Sequence, residues 1–203
     1  MAGSSTAEPR PPDPRLPEEG PVFYLDLSSP EAWLSAERIL GLMPVPCEWV
    51  PVRMPFDGGF RCAEESDIFR MEIERTAAER GLQPVRWPEP FPFDSSLAQL
   101  AATYAKAGGK TVAFCLAALR QAYAGARSLA DEESVMIAAA ACEIHPRALL
   151  KALETRSIAQ RLDEATEAAR ERGVVSTPAF WTGSGVAHGD AALDDVAAAF
   201  RRR

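Results

Sequence analysis

The sequence predicts an α/β fold in which a β-α-β unit and a closing β-β-α unit are separated by a long helical insertion. Three observations predict it. In "YLDLSSPEAWLSAERIL", residues 24–40, an apolar, β-prone run gives way at Ser28-Ser29-Pro30 to helical spacing of Trp33, Leu34, Ile39 and Leu40. An alanine-rich block of about 80 residues then carries one helix start and stop signal after another. Strand character returns only in "TPAFWTG" and "GVAHG", close to the C-terminus.

The elements follow in order. Residues 1–20 hold five prolines and almost no large apolar side chains, too little to offset chain ordering, so a disordered, proline-rich leader is expected. "PVFYLDL" is the first strand, Pro30 to Met43 the first helix and Cys47 to Met54 the second strand, an order that gives a parallel pair. "PFDGGFRCAEES" reads as a flexible loop, Ser66 to Arg80 as an amphipathic helix stopped by Gly81, and "LQPVRWPEPFPF" as a proline-punctuated extended segment. Five helices follow. Asp94-Ser95-Ser96 caps one running to Ala107; Lys110 to Arg127 is the next; Ser128 to Glu143 opens with three acids; His145-Pro146 starts a fourth; Ser157 to Arg172 is stopped by Gly173. Gly183-Ser184-Gly185 then joins two strands as a hairpin, and Ala191 to Arg203 closes the chain as a helix.

Composition narrows the function classes. The 203 residues are 47% hydrophobic and carry 29 acids against 22 interleaved bases, a formal charge of -7, which disfavours a phosphate-binding surface and hence a nucleic-acid partner. No apolar run reaches the roughly 18 residues of a membrane span, and no secretory signal is evident, so a cytoplasmic protein without a membrane partner is expected. Cys47, Cys62, Cys115 and Cys142 have no C-x-x-C spacing and make no zinc pattern with the two histidines; no metal is expected.

Two positions invite a chemical reading. Ser29 precedes Pro30 as a natural N-cap, accepting from the N–H of Ala32 or Trp33; the same helix start, if it faces a cleft, favours an anion and lets the hydroxyl donate to a thiolate. Thr177-Pro178 precedes an apolar strand: a cis bond there exposes the backbone of Thr177 to a ligand, while a trans proline opening an edge strand is the alternative. Cys62, in the glycine-containing loop beside Arg61, is a candidate reactive thiol, provided its surroundings are exposed and electropositive. His145 reads as a helix-cap residue and His188 as a hairpin residue; Trp33, Trp49, Trp87, Trp181 and Tyr24 read as core or cleft wall.

These residues carry a family resemblance. "FYLDLSSPEAWL" resembles the F-Y-x-D-x-x-S-P-x-x-x-L opening of the 2-hydroxychromene-2-carboxylate isomerases and kappa-class glutathione transferases, in the DsbA-like branch of the thioredoxin fold. "VRWPEPFPFDSS", "GARSLADEESVMIAAAACEIHPRALLKAL" and "GVVSTPAFWTGSGVAHGDAALDDV" resemble their passage into the helical insertion, its later part, and their cis-proline strand, hairpin and last helix. The likeness runs from about Val22 to Phe200. It implies a thioredoxin-like domain over 21–80 and 173–203, with a linking segment and helical insertion over 81–172.

The resemblance also implies chemistry. Where redox members open the first helix with C-P-x-C, this chain has Ser29-Pro30-Glu31-Ala32, so dithiol-disulfide exchange through that motif is excluded. The matching serine of the isomerases and transferases contacts the glutathione sulfur, which makes Ser29 the catalytic candidate. Thr177, Pro178 and Asp190 are the matching candidates for holding glutathione. Three departures stand beside this: Thr177 where valine is usual, no asparagine in the loop after the second strand, and Ala191 where an acid is usual, with Asp190 one position earlier. The reading is a glutathione-dependent isomerase or transferase acting on a small unsaturated or aromatic-derived substrate, in a family whose members often form homodimers. The alternatives are a non-redox thiol-ligand or protein-binding module, or an atypical oxidoreductase using Cys62.

Overall fold

The computed structural model describes residues 20–202, so most of the expected leader lies outside the described residues. The chain runs β1 (Val22–Leu25), α1 (Pro30–Leu42), β2 (Glu48–Pro51), α2 (Ala63–Glu79), α3 (Ser96–Ala107), α4 (Thr111–Tyr123), α5 (Glu132–Ala141), α6 (Pro146–Leu153), α7 (Arg156–Glu171), β3 (Ala179–Trp181), β4 (Val186–His188) and α8 (Ala192–Arg201). The sheet order is β2-β1-β3-β4. β1 and β2 are parallel, β3 is antiparallel to β1, and β3 and β4 form the hairpin through Gly183-Ser184-Gly185. This is a thioredoxin-like α/β fold in which helices α3 to α7 separate the two halves of the sheet.

The strand pattern explains why both sheet faces are covered. Phe23 and Leu25 point to one side, where they join Trp33, Leu34, Phe114 and Tyr123 in the main core; Val22 and Tyr24 point to the other and meet Val52, Ala169 of α7 and Val174. Phe23 stacks on Phe180 at 5.2 Å between ring centroids and meets Trp49 edge-on at 5.0 Å. These contacts tie β2, β1 and β3 together across the sheet.

Three expectations change. The stretch after β2, predicted as a flexible loop, is tied down by aromatic packing: Phe56 stacks on Phe69 at 5.1 Å and on Phe91 at 5.6 Å, and Phe60 lies 5.4 Å from Phe69. The helix after it starts at Ala63 instead of Ser66. The helix expected to reach Arg127 ends at Tyr123, because Ala126 takes a left-handed φ of 56° and Gly125 packs so tightly that a Cβ there would lie 2.7 Å from the Gln121 carbonyl.

Candidate active site

The site is built on the turn between β1 and α1. Asp26, an acid ending an apolar strand, is fully buried. One carboxylate oxygen accepts from the Ser28 N–H at 3.0 Å, the Ser28 hydroxyl at 2.8 Å and the Ser95 hydroxyl at 2.6 Å; the other accepts from the Met54 N–H at 2.9 Å. A buried carboxylate is tolerated here because four donors converge on it. It thereby locks the turn, the chain leaving β2 and the start of α3 together. The Ser28 hydroxyl accepts in turn from the Phe56 N–H at 2.7 Å, and the Tyr123 hydroxyl donates to the Ser28 carbonyl. Burial, reinforced by the Asp26 charge, holds the Tyr123 hydroxyl well above its usual range, so it serves as a fixed donor.

Ser29 therefore has little freedom. Its extended backbone (φ -87°, ψ 118°) is that of an N-cap, its Oγ accepts from the Ala32 N–H at 3.2 Å, and Pro30 opens α1. The hydroxyl proton is donated to the carbonyl of Thr177 at 3.2 Å. Thr177-Pro178 is a cis peptide bond, as are Glu89-Pro90 and Phe91-Pro92. The Thr177 hydroxyl donates to the Met54 carbonyl at 3.4 Å, and the Pro178 carbonyl accepts from the Gly189 N–H at 2.9 Å. Ser29, Thr177 and Pro178 thus converge, with Ser29 at 0% exposure. A cleft of about 600 Å³ opens on the far side of Thr177, between Arg53–Asp57 and Val174–Thr177, with Arg170 on its rim.

Asp190 sits behind this junction. Its carboxylate is buried, accepts from the Ser35 hydroxyl at 3.0 Å and pairs with Arg80 at 2.5 Å, so both oxygens are committed within the protein. Glu31, half-buried in the first turn of α1, faces it. Burial raises the Glu31 carboxyl above its ordinary value, the Asp190 charge raises it further, and the Asp190 backbone N–H only partly offsets them.

The thiols are placed apart from this chemistry. Cys62 is exposed at the N-cap of α2, where its side chain bonds to the Glu64 carboxylate. The neighbouring Arg61 is bound to Glu65 at 2.8 Å, so the setting lacks the free positive charge that favours a thiolate. Burial, with the Glu48 charge, pushes the Cys47 thiol up to about 12, and burial also raises Cys115 and Cys142. His188 Nε2 accepts from the Val175 N–H at 3.2 Å, and His145 precedes α6. A second cavity of about 330 Å³ lies beside Lys110 and His145, where the Lys110 ammonium is committed to the carbonyls of Cys142 and Glu143. Among the described residues no group of three or more His, Cys, Asp or Glu could hold a metal ion. No helix of the described residues is long and apolar enough to cross a membrane.

Sequence reasoning singled out Ser29, Thr177 and Pro178 but passed over Asp26 and Glu31. Both stood inside the quoted opening motif, Asp26 as a charge ending an apolar strand. Tyr123 and Arg80 left no signal, since their partners lie far away in the chain.

The DSBA-like thioredoxin domain family matches residues 22–201. A solved 2-hydroxychromene-2-carboxylate isomerase is similar, with a TM-score of 0.80 and 19% identity over 91% of this chain and 95% of that one. A cytosolic disulfide reductase of Pseudomonas aeruginosa gives 0.62 and 15% over 91% and 98%. A thioredoxin-like oxidoreductase of Silicibacter pomeroyi gives 0.56 and 18% over 91% and 87%. At these identities the likeness establishes the fold. A search of the curated proteins finds no match.

Proposed function

The chain belongs to the DSBA-like thioredoxin domain family, and from that premise we propose that it is a thiol-dependent isomerase or transferase, with glutathione as the thiol, acting on a small unsaturated or aromatic-derived substrate. The observation that supports this most is the Ser29 hydroxyl at the start of α1, bonded to the backbone carbonyl ahead of cis-Pro178. A serine in that place has no sulfur to exchange and offers a hydroxyl proton instead.

The residues fit the sulfur end of such a ligand and leave its charged end to other groups. Ser29 and Thr177 would hold the sulfur and the peptide portion; Asp190, committed to Ser35 and Arg80, is not free to take an ammonium group. When bound, the thiol supplies a nucleophile whose addition to and loss from the substrate turn a double bond into a rotatable single bond. The chain's part is an exchange of partners. The Ser29 hydroxyl turns from the Thr177 carbonyl to the sulfur, while the freed carbonyl accepts an amide N–H of the ligand. The Ala32 N–H keeps Oγ in place during the exchange.

Magnitudes identify the important contact. A helix N-terminus favours a nearby anion by about 0.3–1 kcal/mol, whereas a hydrogen bond to a charged group is worth about 1.5–3 kcal/mol. The hydroxyl therefore dominates over the helix dipole. For the substrate, Arg53 and Arg170 offer guanidinium groups to the cleft. Their protein partners, Asp163 and Glu167, lie at 3.3 Å on the exposed surface, pairs worth only about 0–1 kcal/mol, so a ligand carboxylate competes readily.

The complete burial of Ser29 favours a second reading, a non-redox binding module in which the Ser29–Thr177 bond is a permanent latch. Titrating glutathione into wild type and Ser29→Ala by calorimetry separates the two. The enzyme reading requires binding by the wild type and its loss in the variant. Absence of binding in both would reject it.

A further inference from the structure

Glu31 occupies the first turn of α1, two residues beyond Ser29, and is tied to the other half of the junction as well. One of its carboxyl oxygens lies 3.9 Å from the point where a Cβ on Gly189 would stand, and the Asp190 backbone N–H donates to it. Gly189, with φ of 81°, itself donates to the Pro178 carbonyl at 2.9 Å. The carboxyl is therefore held beside the segment that follows Thr177-Pro178, by the chain on one side and by the Asp190 backbone N–H on the other. It is half-buried, whereas the Asp190 carboxylate behind it is closed off.

An acid in a first helical turn ordinarily serves as an ionised partner for the dipole, and an N–H donor reinforces that state. Glu31 departs from this. Its surroundings oppose the charge: burial first, then Asp190 from the turn before α8. Arg80 at the end of α2 is bound to Asp190 at 2.5 Å. His188 of β4 directs Nε2 to the Val175 N–H. Such a carboxylate, half-buried and set beside Asp190, is suited to accept a proton.

Resting on the thiol-ligand reading above, we propose that Glu31 is the proton acceptor of the site. The S–H bond of the bound thiol breaks, the electron pair stays on sulfur beside the Ser29 hydroxyl, and the proton bonds to a Glu31 carboxylate oxygen. No net charge is added to the site, and no proton reaches solvent. The same proton is then available to whichever substrate atom gains electron density when sulfur adds.

Calorimetric titration of glutathione into the full chain near neutral pH, in two buffers of different ionisation enthalpy, counts the protons released on binding, and ultraviolet absorbance reports the ionised sulfur. Wild type is expected to bind the thiol ionised while releasing almost no proton. Glu31→Gln is expected to release about one proton per thiol bound as the anion, and Glu31→Asp, which keeps an acid, to retain it again. S-methylglutathione, lacking the proton, should show no difference between the chains. Equal proton release by wild type and Glu31→Gln, or a thiol that stays neutral in wild type, overturns the assignment of Glu31 while leaving the thiol-ligand reading in place. Absence of glutathione binding to wild type removes that reading and this proposal with it.

Discussion

The Ser29 hydroxyl donates at 3.2 Å to the carbonyl of Thr177, a residue 148 positions further along the chain. The same oxygen caps α1 through the Ala32 N–H. Ser29→Ala therefore removes an N-cap and strands a carbonyl, and urea denaturation should show a loss of about 2 kcal/mol. A change within about 0.5 kcal/mol, the range of ordinary surface substitutions, would mean that neither bond contributes.

Among the described residues Asp26 has no cationic partner, and it holds the site's scaffold through four donors. Asparagine keeps the shape but turns one acceptor into a donor facing donors. Asp26→Asn should cost at least about 2 kcal/mol and loosen the loop around Phe56, detectable as faster amide exchange at Met54 and Phe56. Unchanged exchange there would place the loop's anchorage in the aromatic cluster alone.

Arg80 and Asp190 pair at 2.5 Å, with Asp190 almost wholly buried and Arg80 22% exposed. Removing one member of a buried pair strands the other, so Asp190→Ala should cost about 3 kcal/mol. The same change made on an Arg80→Ala background should cost much less. A double-mutant cycle with no coupling would contradict the pairing.

Glu31 gives stability a pH dependence of defined sign. Its folded-state value lies above the unfolded value of 4.5, so as pH rises past 4.5 the unfolded chain releases its proton first. Stability then falls until Glu31 ionises in the folded state, and levels off beyond. Glu31→Gln lacks this loss. Its melting temperature, relative to wild type, should be higher above the window than below pH 4.5; the opposite slope would show that Glu31 is stabilised as the anion.

Cys62 is the exposed thiol, while burial raises Cys47, Cys115 and Cys142. A thiol reagent added to native protein should label Cys62 first, and Cys62→Ser should remove that label. Neither chain should reduce insulin disulfides. Robust reduction abolished by Cys62→Ser would instead establish an oxidoreductase of unusual design.

What the sequence disclosed, and what it withheld, follows from the range of the interactions. The order of strands and helices was legible because the apolar, β-prone run at Val22–Leu25 and the helical spacing after Pro30 are local patterns. Helix ends shifted where a local signal was overruled, as at Tyr123, where the chain turns through Gly125 and Ala126. Ser29 and Thr177-Pro178 were found because each has a short-range signature, a cap before proline and a proline before a strand. The roles of Asp26 and Glu31 were hidden because they depend on Ser95, Met54 and Asp190, residues brought near only by folding. A single motif reveals residue types; their partners require the fold.

The most direct measurement is a crystal structure of the chain soaked with glutathione. The account predicts the ligand sulfur within hydrogen-bonding distance of Ser29 Oγ, with the Thr177 carbonyl released to a ligand amide. An intact Ser29–Thr177 bond, with the tripeptide elsewhere or not bound, would contradict it.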